Sequence, residues 1–389
     1  MKKTSTSTAT VAAAAMAFAL ASPPAVAEDQ VTVAFIGPLS GGVSSVGLGG
    51  RNSAKLAVDL RNADPETEYD YELLALDDEC KPNVGVQVAT RAASNRDVVA
   101  GVTHYCSAVA MGTVDVYNKF GMPAVVWGAV LPDITYSNSY PEVHRVNGTM
   151  INQNEVAAEF MTDRGYESWV IIHDTTDYGQ GHKKYFSEAL EDNGGEVLAT
   201  FGVTADQQDF TAELTQAKSL NPDVIYFGGL TPLGVRIRSQ MEKVGVDAQF
   251  EGTSGIVSDA YIEGAGDLAE GTVAFIEGAP IAKLPGGQYF QDQYEKADFD
   301  SPPEAYGPFA FAAMNLVLDK IEEVGPDRRK VRDALNAVEG RDSIVGEITF
   351  DDHGQNAVAL ITKFVVQDGE WVVWEDSEYA SGERKLSGM

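Results

Sequence analysis

From Val31 onward, short and almost wholly apolar runs alternate with longer stretches in which apolar residues return every three or four positions. The short runs, at 31–36, 71–76, 98–102, 124–126, 169–173, 197–203, 224–227 and 271–275, have strand length. Continuous apolarity of that kind belongs to parallel strands buried on both faces. The stretches between them, at 52–62, 84–94, 108–120, 152–164, 181–193, 210–220 and 233–244, have the length and period of amphipathic helices. Strand–helix alternation predicts an α/β fold of doubly wound parallel sheets covered by helices on both faces. Further along, 308–324 and 328–338 read as helices and 347–350 as a strand, while 360–367 and 370–374 form a hairpin across Asp368-Gly369. The polar tail 376–389 is expected to be disordered. No repeat or long linker divides the chain, which suggests lobes that it crosses between more than once.

The first residues follow another pattern. Lys2 and Lys3 precede an apolar run at 12–21, and Ala25-Val26-Ala27 is a small-x-small cleavage site, so the mature chain is expected to begin at Glu28. That run is too short to span a bilayer, no later stretch reaches about eighteen uninterrupted apolar residues, and no Cys follows the cleavage site as a lipid anchor. The expected location is the periplasm. Removing residues 1–27 from 389 leaves 362, more than one core usually serves, so two domains are expected. A hydrophobic content of 44% excludes a disordered chain. The mature chain has 26 basic against 58 acidic residues, a net charge of −32, which excludes nucleic acid and anionic membranes as partners. Cys80 and Cys106 have no Cys or His at metal spacing, and in an oxidising compartment they read as one structural disulfide.

In open α/β sheets ligands sit beyond the carboxyl ends of the strands. The turns at those ends are 37–46, 103–108, 127–131, 174–181, 228–233 and 252–258; they are rich in Gly, Ser, Tyr and Trp and poor in His, Lys and paired carboxylates. This composition suits holding a small molecule rather than chemistry. Gly47-Leu48-Gly49-Gly50 imitates a dinucleotide loop, but Asn52 replaces the third Gly and the strand ends too early. No Gly-x-Ser-x-Gly elbow is present, and the five His residues (104, 144, 173, 182, 353) form no ligand pair. His173 and Asp174 are adjacent on a strand and point to opposite faces. Asp77-Asp78 and Asp351-Asp352-His353 read as solvated turns or hinges in preference to metal ligands. No enzymatic activity, cofactor or metal is expected.

Several segments occur in a telling order: 31–45, Leu76-Asp77-Asp78-Glu79-Cys80-Lys81-Pro82, His104-Tyr105-Cys106-Ser107, Ile172-His173-Asp174 with Tyr178-Gly179, and Tyr226-Phe227-Gly228-Gly229. Together they resemble the periplasmic leucine/isoleucine/valine-binding protein family, the type I solute-binding proteins of ABC importers, over nearly the whole mature chain. The resemblance implies two lobes joined by three crossovers and closing on a ligand: lobe 1 from 28–147 plus 277–351, lobe 2 from 148–276 plus 352–389, with hinges near 147–150, 275–278 and 350–354. It matches Cys80 and Cys106 to the family's disulfide. It assigns the ligand's carboxylate to Ser107 and to the segment Gly128, Ala129 and Val130, a closing ring to Tyr178, and a packing ring to Tyr306. Gly229 and Ser254, in the lobe 2 turns, complete the candidate set. The departures are Val130 for a ligand-binding Thr, and Ser254 and Met150 for two acids that hold an α-ammonium. In exchange, Tyr105, Trp127, Tyr178 and Tyr306 offer aromatic faces, suited to an aromatic acid or to a methylated ammonium. The expected function is therefore a monomeric periplasmic substrate-binding protein that delivers a small solute to an inner-membrane ABC permease. A small organic acid or amide with an aromatic or apolar body is favoured as ligand. The alternatives are plain branched-chain or other hydrophobic amino-acid binding, and a ligand sensor on the same fold.

Overall fold

The protein, as a computed structural model, is described over residues 29–357 and 360–388, with Met1 and Thr4. Apart from those two residues, the expected signal 1–27 and its cleavage site lie outside the described residues. Five parallel strands form the first sheet in the order β2-β1-β3-β4-β5, from β1 (Asp29–Gly37), β2 (Tyr69–Asp77), β3 (Val98–Thr103), β4 (Ala124–Val126) and β5 (Val143–Arg145). Helices α1 (Ser44–Asn62), α2 (Pro82–Ser94) and α3 (Ser107–Phe120) connect the first four. Pro82 opens α2, where its missing N–H costs nothing, and Gly121, at φ +60°, ends α3. β3 is buried at all six positions, as its apolar sequence requires.

The second sheet has the order β14-β13-β10-β9-β8-β6-β7. Its parallel strands are β6 (Ser168–Asp174), β7 (Glu196–Val203), β8 (Val224–Gly228), β9 (Gln249–Gly252) and β10 (Val273–Glu277). Antiparallel β13 (Ile361–Gln367) and β14 (Glu370–Val373) extend one edge as the expected hairpin. The run at 347–350 becomes β12 (Gly346–Ile348), paired with β11 (Arg341–Ser343) in a separate two-stranded sheet. β5 and β9, only three and four residues long and bearing polar side chains, escape a search for apolar runs, yet both are buried throughout.

Two parallel-sheet lobes result, and the chain passes between them three times. It leaves the first sheet after β5, returns after β10 so that helix Gly307–Val324 packs on α1, and goes back before β13. The first and third passages lie side by side. Arg145 bridges in parallel to Gln355, the Arg145 N–H donates to Gly354 O, and the Asn356 N–H donates to Arg145 O, both at 2.9 Å. Gln355 Nε2 donates to Asn147 O at 2.8 Å and Asn356 Nδ2 to Val146 O at 2.9 Å.

The tail corrects its expectation of disorder. Helix Glu378–Ser381 follows β14, Tyr379 and Leu386 are buried, and Arg384 forms ion pairs with Glu270, Asp368 and Glu378. Its polar composition hid two apolar anchors spaced to reach the sheet edge.

Candidate functional site

Between the lobes, beyond the carboxyl ends of both sheets, lies a cavity of about 280 Å³. Lobe 1 contributes Cys80, Pro82, Tyr105, Cys106, Ser107, Ala108, Gly128 and Tyr306. The second sheet contributes Thr175, Thr176, Asp177, Tyr178, Leu230 and Ser254. Six of the ten sequence-proposed binding residues therefore face one cavity, and the Cys80–Cys106 disulfide, with Cα atoms 5.5 Å apart, borders it.

Ser107 is the first helical residue of α3, and Cys106 occupies the cap position. The N–H groups of Val109 and Ala110 turn back to Cys106 O, which leaves those of Ser107 and Ala108 without a helical partner at the cavity wall. The Ser107 hydroxyl accepts from the Leu131 N–H at 3.3 Å, so its own proton is free to donate. Two N–H groups, one hydroxyl donor and the positive end of a helix dipole converge, which suits an anionic or carbonyl oxygen.

Aromatic faces make the walls. Tyr105 stacks on Trp127 with centroids 5.7 Å apart and meets Tyr306 edge-on at 5.3 Å. A Cβ on Gly128 would stand 2.7 Å from Tyr105 Cδ2, so only glycine lets the ring lie back there. The Tyr178 hydroxyl accepts from the Gly255 N–H and lies near Thr253 Oγ1, both at 2.9 Å, and the Tyr306 hydroxyl donates to Glu277 at 2.8 Å. With those hydroxyls engaged, the two residues present rings to the cavity.

Trp127, Ala129, Val130 and Gly229 stand one layer behind. Trp127 is fully buried against Phe35 and Tyr105 and donates to Ile36 O, so it supports the aromatic wall without facing the cavity. Ala129 O accepts from Arg145, Val130 O accepts from the Met150 N–H, and Gly229 lies against the Phe227 ring. Asp78, expected in a solvated turn, is wholly buried: its Oδ2 lies 2.9 Å from His104 Nδ1, while His104 Nε2 lies 2.6 Å from the Tyr117 hydroxyl. This network fixes the loop that carries Tyr105 and Ser107. Asp77 secures the opposing loop by accepting from the Leu39 N–H at 2.8 Å and the Ser40 hydroxyl at 2.6 Å.

Sequence reasoning missed Thr175, Thr176, Leu230 and Glu277. All but the last lie in turns already marked by position, so their signal was the turn. Glu277, at the end of β10, is buried; Oε2 holds Tyr306 and Oε1 has no hydrogen-bond partner. Burial raises its carboxyl above the ordinary range, against the Tyr306 hydroxyl and the Arg145 charge. Arg145 is itself buried, which lowers it to about 10, and it donates to Leu131 O at 2.6 Å and Thr135 Oγ1 at 2.9 Å. Among the described residues no group of three or more His, Cys, Asp or Glu side chains is placed to hold a metal ion, and no helix is long and apolar enough to cross a membrane.

A family model described as periplasmic binding protein matches residues 30–370. The chain belongs to that family. It is 30% identical over 334 residues to the leucine-, isoleucine-, valine-, threonine- and alanine-binding protein of Pseudomonas aeruginosa, covering 85% of this chain and 88% of the relative. A leucine-binding protein from Thermotoga maritima superposes with a TM-score of 0.80 at 24% identity, over 88% of this chain and 97% of that one. A solute-binding protein of an ABC transporter from R. palustris, in complex with benzoate, superposes with a TM-score of 0.78 at 19% identity, over 88% and 95%. This periplasmic binding protein therefore has the two-lobed fold the resemblance implied, with the cavity where the lobes meet, and it is a substrate-binding protein of the branched-chain amino-acid ABC importer type.

Proposed function

We propose that the protein is exported to the periplasm with cleavage after Ala27, captures a small solute bearing a carboxylate or carboxamide between its lobes, and hands it to an inner-membrane ABC permease. The lobe boundaries belong to the same reading, near residues 147, 277 and 351, and the positions of the three passages support them. The observation that carries the reading is the convergence at Ser107: a free hydroxyl proton and two unpaired N–H groups at the start of α3, on the wall of an interlobe cavity otherwise lined by rings. Tyr105, Tyr178 and Tyr306 give the ligand an apolar or aromatic body. Support for that breadth comes from the relative named for five amino acids and from the benzoate-bound neighbour.

Thermal shifts across leucine, isoleucine, valine, phenylalanine and benzoate locate a ligand, since saturation at 100 times Kd adds about 2.7 kcal/mol of stability. Ser107→Ala is expected to weaken it by about 1–3 kcal/mol in calorimetry, the range for a buried charge-assisted bond. Unaltered affinity would mean that Ser107 only holds the Leu131 loop.

A further inference from the structure

Glu277 closes β10 where the chain leaves the second sheet. Oε2 accepts from Tyr306, while Oε1 is buried without a donor, an arrangement that a partner would relieve. The groups that act on this carboxylate are Tyr105, Tyr178, Ser254 and Tyr306, each on the cavity wall, with Tyr226 and Arg145 behind. Arg145 is no counter-ion in contact: its donors go to Gln355, Ala129 O, Leu131 O and Thr135. Ser254 covers the acid loosely, its hydroxyl lying 3.4 Å from both the Tyr178 hydroxyl and Gln153 Oε1. Ser254 stands where the family resemblance implies an acid. β9, which precedes Ser254, pairs with β10, so Glu277 closes the strand next to the one that leads to Ser254.

We propose that Glu277 receives a protonated amine of the ligand at Oε1, once the Ser254 hydroxyl turns aside, so that the ligand carries an amine besides the group seated at Ser107. The inference rests on the Ser107 reading for the ligand's other end. Burial keeps the Glu277 carboxyl protonated in the empty cleft more readily than in water. As the ammonium arrives, the carboxyl O–H releases its proton to solvent and the N–H⁺···O⁻ contact forms, so one positive charge leaves and one enters.

The test uses molecules that differ by the amine alone: leucine against 4-methylpentanoate and phenylalanine against 3-phenylpropanoate, with isopentylamine as an amine lacking a carboxylate. Wild-type protein is expected to bind each amino acid about tenfold or more tightly than its deaminated partner. In Glu277→Gln the gap should shrink by about tenfold. Titrations of wild type in phosphate and in Tris should differ in heat, because a proton is released. Equal binding of the paired ligands by wild type would overturn the assignment without recourse to any variant, and so would a gap that survives in a folded Glu277→Gln. Binding of isopentylamine but of no carboxylate would remove the Ser107 reading and keep Glu277; failure of the whole panel would remove both.

Discussion

Glu304 stands two residues before Tyr306, and its carboxyl is pushed up from 4.5 to about 7 by burial and then by the charges of Asp259 and Glu263. The folded protein therefore holds this proton more tightly than the unfolded chain does. Its contribution to stability is intact below about 4.5 and is lost as pH rises through about 7. Urea unfolding of wild type and Glu304→Gln at pH 5 and pH 8 checks this. The variant is expected to gain about 1–3 kcal/mol over wild type between the two, and parallel behaviour would sink the assignment. At this scale the sequence was legible wherever a side chain sat in a turn at a strand end, as Ser107, Tyr178 and Ser254 do. It was less so for Trp127, which looks like a ligand ring and is held behind the wall by Gly50, where a Cβ would come 2.7 Å from the indole. Glu277 was invisible, because an acid closing an apolar strand reads as the solvated end of that strand.

Among the elements, α1 starts at Ser44, eight residues ahead of the periodic stretch. The run Gly47-Leu48-Gly49-Gly50 lies inside it as a packing surface: a Cβ at Gly47 would strike Pro38 O and one at Gly49 would strike Pro303 O. The glycines that imitate a phosphate loop are there for close approach of backbone. Gly42, in the turn before α1, has a comparable role across the cleft, since its Cβ would stand 2.7 Å from Pro232 Cγ in helix Thr231–Val244 of the other lobe. Gly42→Ala should obstruct closure and weaken ligand binding by about 1–3 kcal/mol, the usual cost of overpacking. Thermal unfolding of the ligand-free variant should barely move, because parted lobes avoid the clash; calorimetry showing wild-type affinity would count against closure at this contact. The long strands were legible because burial on both faces leaves an unbroken apolar signature. β5 and β9 were not, since a short inner strand is defined by its neighbours more than by its own residues.

For the molecule as a whole, the strand–helix alternation was enough to predict doubly wound parallel sheets and the chain length two domains, while the three passages between them were legible only through the family resemblance. The tail shows the limit of composition: Tyr379 and Leu386 anchor it, and Tyr379 donates to Glu270 at 2.7 Å. Ending the chain after Asp376 is expected to cost about 3–6 kcal/mol, from two buried side chains at about 1.5–3 kcal/mol each. Chemical denaturation of the truncated protein measures it, and an unchanged midpoint would restore the disordered tail. The two passages that run side by side set how the lobes can move. Arg145 and Asn356 join them through main-chain bonds, and the Gln355 side chain stitches the strip to Asn147. A paired strip folds readily along its length and resists shear between its two threads. The lobes are thereby left one easy direction of travel, toward and away from each other, and a ligand that touches both walls need fix only that single coordinate to be enclosed.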